Sequence, residues 1–232
     1  MKRLLLLALA ACRAEVAAAP SAVKHEKPGA LAAIAREKIC MTRGEAAVSG
    51  GVLQISDATT RGVATTSSGE AAALRFTYRG ESRETRALAS GQIRHQVGLK
   101  LRAADGCNVI YVMWRVEPKP FIEVSMKRNP GKRTHEDCGA AGYTKIKPSS
   151  MEPVGAFAVG DEHVLEAAID GDTLTATLDG KAVWVGDLPT EARALDGPAG
   201  FRSDNVTYDA ELRVAPGARG HDSPGCAKSD DD

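Results

Sequence analysis

The chain has 232 residues, with 30 Lys and Arg balanced by 30 Asp and Glu and only 4% aromatic residues. A net charge of zero lacks the basic footprint of a nucleic-acid binder, and the length holds one sizeable domain with a true core or at most two small ones. The balance hides a segregation: from Arg75 to Lys147 there are 15 Lys/Arg against 7 Asp/Glu, and from Asp161 to Glu211 there are 3 against 12. Such an asymmetry suits anionic glycans or lipid head groups, and it also arises from charges on solvated strand faces.

At the N-terminus, Lys2 and Arg3 precede an apolar run over 4–11 and then Cys12. The run is too short for a bilayer, which takes about 20 residues, and lies at the low end of the roughly 7–15 of a signal-peptide core. Leu9-Ala10-Ala11-Cys12 resembles the lipobox at which bacterial lipoprotein signal peptidase cuts, leaving the cysteine to be acylated. Residues 1–12 are therefore expected to be a lipoprotein signal peptide, and Cys12 the lipidation site. The mature protein is then exported and anchored in the outer membrane through lipid only, facing the periplasm or the cell surface. Arg13, rather than Asp, follows the cysteine and argues against retention at the inner membrane. Plain secretion with cleavage after Ala17-Ala18-Ala19 is the alternative, which Arg13 and Glu15 oppose by interrupting the apolar core.

Residues 13–44 are Ala-rich with scattered Pro and Lys and read as a flexible tether, with a short helical pattern over 31–39. The folded domain is expected over 45–215 and a disordered tail over 216–232. With Cys12 lipidated, Cys40, Cys107, Cys138 and Cys226 remain, an even set in an oxidising compartment, so two disulfides are expected. Three connectivities exist; Cys107 with Cys138 and Cys40 with Cys226 is the favoured pairing. No Cys-x-x-Cys pair points to zinc.

Within the domain, β-branched or aromatic content with period two predicts strands over 75–79, 92–102, 109–116, 121–128, 163–170, 173–178, 182–185 and 206–214. Asp170-Gly171-Asp172 and Asp179-Gly180-Lys181 mark two tight hairpins, glycine supplying the positive φ. Many short strands between regular turns predict an all-β, antiparallel two-sheet sandwich or jelly roll.

The segment 163–167, the hairpin through 178–183, the run Gly197-Pro198-Ala199-Gly200-Phe201-Arg202-Ser203-Asp204-Asn205 and the strand ending at Val214 resemble the C-terminal half of concanavalin A-like jelly rolls. The likeness is nearest to laminin G-like modules and the 3-keto-disaccharide hydrolase domain, and covers about the last third of the domain. It implies the jelly-roll fold, and a carbohydrate or polysaccharide ligand, a saccharide hydrolase or a protein-binding adhesion module, since such folds host all three.

Three successive strands carry the candidate site. Over 92–102 the positions Ile93, His95, Val97, Leu99 and Leu101 form the packing set and Gln92, Arg94, Gln96, Lys100 and Arg102 alternate with them. Ile110, Val112, Trp114 and Val116 pack in the next strand, opposite Tyr111, Met113 and Arg115. In the third, Ile122, Val124 and Met126 oppose Glu123, Ser125 and Lys127. Were these strands neighbours in register, Arg94, Gln96, Tyr111, Arg115, Glu123, Ser125 and Lys127 would share one face. Its cations, amide and ring suit sugar hydroxyls or carboxylates; a ligand-free convex face has the same pattern, and one β-bulge would divide the set.

Trp114 and Trp184 are expected in the core, and His95 as a packed histidine. His135-Glu136-Asp137 beside Cys138 has no second ligand cluster, and the sequon Asn205-Val206-Thr207 carries little weight in a bacterial export setting. No cofactor is implied, and no motif supports calcium. Glu123 is the single carboxylate of the expected face, a weak catalytic candidate without the second carboxylate a glycosidase needs. No Glu-x-Asp-x-x-Glu, nucleophile elbow, metalloprotease helix or phosphate loop occurs. These readings favour an envelope lipoprotein carrying a lectin-like carbohydrate-binding module.

Overall fold

Alternating apolar positions dictate strands, and in the computed structural model, which describes residues 30–117 and 119–217, strands dominate. Cys12, Cys226, the expected signal peptide and nearly all of the expected tail lie outside the described residues. In chain order the strands are β1 (Ala32–Ala33), β2 (Ile39–Arg43), β3 (Ala47–Ser49), β4 (Val52–Ile55), β5 (Thr59–Ala64), β6 (Ser67–Glu81), β7 (Gln96–Leu101) and β8 (Val109–Arg115). They continue with β9 (Phe121–Lys127), β10 (Tyr143–Lys145), β11 (Ser150–Met151), β12 (Glu162–Asp170), β13 (Thr173–Leu178), β14 (Lys181–Asp187), β15 (Gly200–Asp204) and β16 (Val206–Pro216). A single helical turn, α1 (His135–Cys138), precedes β10.

Two antiparallel sheets form a sandwich. One runs β11-β14-β13-β12-β6-β16-β4-β3, with β1 added beside β16, and the other runs β10-β9-β8-β7-β15-β5-β2. The expected packing sets Val97, Leu99 and Leu101, then Ile110, Val112 and Trp114, then Ile122, Val124 and Met126, all enter one core with Leu74, Phe76 and Leu165 of the facing sheet. Burying each such side chain contributes about 1.5–3 kcal/mol. Trp114 lies edge-on to Phe76 and Phe157, at 6.0 and 4.7 Å between ring centres, and its indole N–H donates to the Gly155 carbonyl at 3.1 Å. Both tryptophans are core residues, each 1% exposed. At the second hairpin Asp179 and Gly180 have φ of 52° and 80°, and Leu178 pairs with Lys181, the two-residue turn that matches strand twist.

Four sequence expectations change. The folded part starts before residue 45: Ile39–Arg43 is an edge strand against β5, and Ile39 and Met41 reach the core. The helical pattern over 31–39 yields only a 3-10 turn at Arg36–Lys38, because pairing with the sheet outweighs a marginal short helix. Pro216 ends β16 opposite Ser67 instead of opening a tail, a strand end where a missing N–H is tolerated. The strand expected over 92–102 begins at Gln96, and Ile93, assigned to the packing set, is 58% exposed.

Cys107 and Cys138 form a disulfide. Cys40 is disulfide-bonded as well, and its expected pairing with Cys226 lies outside the described residues.

Candidate functional site

Register decides which side chains meet. β7, β8 and β9 pair without a bulge, so their outward positions stay in phase. One row across the sheet reads Thr59, Asp204, Gln96, Arg115, Phe121. The next reads Arg61, Arg202, Gly98, Met113, Glu123, and a third Lys100, Tyr111, Ser125, Lys145. Neighbours in a row are about 4.8 Å apart, within reach of a shared small ligand. Gly98 is required in the middle row, since a Cβ there would meet the Val112 carbonyl oxygen at 2.4 Å.

Over these rows lies a pocket of about 330 Å³, walled by residues 87–92 on one side and by the segment from His135 to Tyr143 on the other. Asp204 is fully buried beneath it, held by Arg61 Nη2 at 2.9 Å, Arg202 Nε at 3.0 Å and Gln96 Nε2 at 2.5 Å. Burial by itself raises its pKa, but the Arg202 and Arg61 charges and the Gln96 hydrogen bond outweigh burial and hold the carboxyl well below the usual range. Glu123 takes Arg115 at 2.9 Å, Lys145 at 3.1 Å and Arg94 at 3.3 Å. Burial lowers the pKa of Arg115 in spite of that carboxylate.

Asn205 fixes one wall. It is fully buried at φ 57°, accepts a hydrogen bond from Arg86 N at 2.7 Å, and donates to the carbonyls of Arg86 and Arg94, both at 2.9 Å. These bonds satisfy backbone groups at Arg86 and Arg94 from a side chain and tie both to the turn between β15 and β16. Asn205→Ala is expected to cost about 1–3 kcal/mol, leaving three backbone groups unpaired, and to raise amide exchange across 86–94. Unchanged exchange there would show that the loop is held by other means.

All seven residues singled out from the sequence lie on or beside this face. Arg94, Gln96, Tyr111, Glu123 and Ser125 line the pocket. Arg115 sits outside the lining, over the Phe121 ring at 4.9 Å. Lys127 is corrected: it is fully buried, donates to the Gly106 carbonyl at 3.0 Å, lies 3.2 Å from His135 Nδ1, and props the Tyr143 ring from 5.3 Å. A lysine is flexible enough to bury its stem and still find partners, which alternation alone does not reveal. Tyr111, expected as the stacking ring, is only 3% exposed, with Arg202 over it at 4.8 Å and Tyr143 stacked at 6.2 Å. Tyr143, at 43% exposure, presents the accessible ring instead. Arg102, assigned to the wet side, bonds Glu70 and the Ala192 carbonyl.

Sequence reasoning missed Arg61, Arg202, Asp204, Tyr143 and Lys145. Arg202 and Asp204 alternate with the buried Phe201, a two-residue period that marks an outward pair once the segment is read as a strand.

No family model matches the sequence, and no curated protein matches it. Among solved structures, the carbohydrate-binding module CBM66 from Bacillus subtilis matches with a TM-score of 0.52 at 13% identity, covering 79% of this chain and 96% of that one. The metal-free Emp46p carbohydrate recognition domain matches with a TM-score of 0.45 at 9% identity, over 78% and 89% of the two chains. The Caenorhabditis elegans galectin LEC-6 gives 0.39 at 10%, over 81% and 99%. The fold is a concanavalin A-like jelly roll. In this jelly roll the pocket lies on the outer face of the sheet containing β7, β8, β9 and β15, and strand register assembles it.

Proposed function

We propose that the chain is a carbohydrate-binding module, exported as an envelope lipoprotein and held at the outer membrane by lipid on Cys12. The observation that carries the binding reading is the pocket itself: arginine, lysine and amide donors beside an exposed tyrosine ring, on a jelly roll whose structural relatives include a carbohydrate-binding module. Planar donors suit ring hydroxyls, and an accessible aromatic face suits sugar C–H groups. The Cys107–Cys138 disulfide supports export, since disulfides persist in oxidising compartments.

Binding is favoured over hydrolysis by the state of the carboxylates. Asp204 is wholly enclosed by its arginine partners, and Glu123 is committed to three cations, so neither is placed to act with the other across a glycosidic bond.

Titration of the oxidised protein against a glycan and polysaccharide panel is expected to give saturable binding without release of reducing ends. Tyr143→Ala is expected to weaken that binding by about 0.5–1.5 kcal/mol, roughly twofold to twelvefold, with the fold intact by circular dichroism. A complete absence of binding across the panel would overturn the proposal, and turnover abolished by Glu123→Gln would replace it with a hydrolase.

A further inference from the structure

Resting on the saccharide reading above, we infer that the pocket selects an acidic saccharide, one whose sugar rings carry carboxylates.

The first support is charge. Arg94, Arg115 and Lys145 converge on the single carboxylate of Glu123, so this corner carries two more positive charges than negative ones. Lys145 is placed to use that surplus: its side chain is 72% exposed at the edge strand β10, at the mouth of the pocket. A cation so exposed gains little from an ion pair within the protein, and an approaching anion can share it at low desolvation cost. Arg61 and Arg202 line the same pocket and share the single carboxylate of Asp204, which adds one further net positive charge to its floor.

The second support is an unmatched acceptor. Gln96 donates through Nε2 to Asp204, and because an ionised carboxylate only accepts, the amide is oriented with Oε1 outward from that bond. Oε1 is buried and has no hydrogen-bond partner, although Gln96 is 1% exposed and lines the pocket. A buried acceptor left unmatched is costly, and a ligand hydroxyl that displaced the groups covering Oε1 would supply the missing donor. The requirements therefore join on one kind of molecule: a hydroxyl for Gln96, a ring for Tyr143, and an anion for Arg94 and Lys145.

The third support is that the pocket already shows how it holds a carboxylate. Glu123 is gripped by guanidinium and ammonium groups together, and Asp204 by two guanidinium groups and an amide. Guanidinium donors match the planar geometry of a carboxylate and bind it by charge-assisted hydrogen bonds.

The test uses matched ligands. Oligogalacturonate, alginate oligosaccharides and hyaluronan oligosaccharides are each titrated into the full, oxidised chain beside their carboxyl-reduced counterparts, at about 50 mM and about 500 mM salt. At least one acid form is expected to bind about tenfold or more tighter than its reduced form, with the difference shrinking at high salt. The double variant R94Q/K145Q is expected to bind the acid form no better than wild type binds the reduced form. Lys145 is exposed enough for its replacement to leave the fold intact, so K145Q alone must show part of the same loss. Equal affinity for acid and reduced forms, or binding confined to neutral polysaccharides, overturns the acidic class and leaves the saccharide reading standing. Tighter binding of a sulfated polymer such as heparin than of every uronate overturns the carboxylate preference. Binding to none of the acidic, reduced or neutral polymers overturns both readings.

Discussion

Replacing Asp204 with alanine is expected to remove about 3–5 kcal/mol of stability, a large part of the 5–15 kcal/mol typical of a domain. The carboxylate is wholly buried between Arg61 and Arg202, and those side chains are themselves only 4% and 8% exposed. Removing the anion leaves two cations close together in a low dielectric, which costs far more than the hydrogen bonds alone. The same clamp makes stability depend on acid. Because the folded-state pKa of Asp204 is depressed, its contribution is fully present above the unfolded value of about 3.9 and is lost as pH falls towards the folded value. Urea unfolding across a pH series checks this: Asp204→Asn is expected to start less stable near neutrality and to lose less of its stability below about pH 4 than wild type does. Parallel acid limbs for the two proteins would assign the acid sensitivity elsewhere.

Removing the Cys107–Cys138 disulfide by a double alanine substitution is expected to cost about 3–4 kcal/mol, from the chain entropy of a loop of this size. The cysteines are 31 residues apart, so the bond closes β8, β9 and the segment after β9 into one loop. For a domain of this length the loss corresponds to a midpoint lower by roughly 6–15 °C in a thermal melt. The bond also matters locally. Cys138 ends α1, whose Thr134 side chain accepts from Asp137 N, and Asn129 donates to the Ala141 carbonyl just before Tyr143. This short segment makes few core contacts, so the disulfide and these polar bonds hold the wall that carries His135 and the Tyr143 ring. Saccharide affinity is therefore expected to fall in the double variant even where the sheets stay folded. A midpoint drop below about 2 °C with unchanged affinity would show that the loop holds itself.

The expected strands over 109–116, 121–128, 163–170 and 173–178 fall within a residue or so of β8, β9, β12 and β13. Their signals are local: alternation, β-branched content, and a glycine at each turn. The order of strands in the sheet is not local. β15 lies between β7 and β5, about 100 residues from the first and about 140 from the second in sequence, and it brings Arg202 and Asp204 beside Gln96 and Arg61. No nearby pattern encodes that neighbour. Burial is equally collective: Tyr111 and Lys127 occupy the outward phase that alternation assigns them, yet Arg202 covers one and the α1 segment encloses the other.

The amino-acid sequence by itself determined the all-β class, the two hairpins, most core positions of three consecutive strands and the alternation of polar residues with them, because each follows from the period of the strand. Tertiary structure alone decided which outward side chains form the pocket. A long-range crossover places β15 between β7 and β5, a buried Asn205 anchors the backbone at Arg86 and Arg94, and a disulfide sets the opposite wall; each joins residues far apart in the chain, where pairing energy and not local spacing makes the choice.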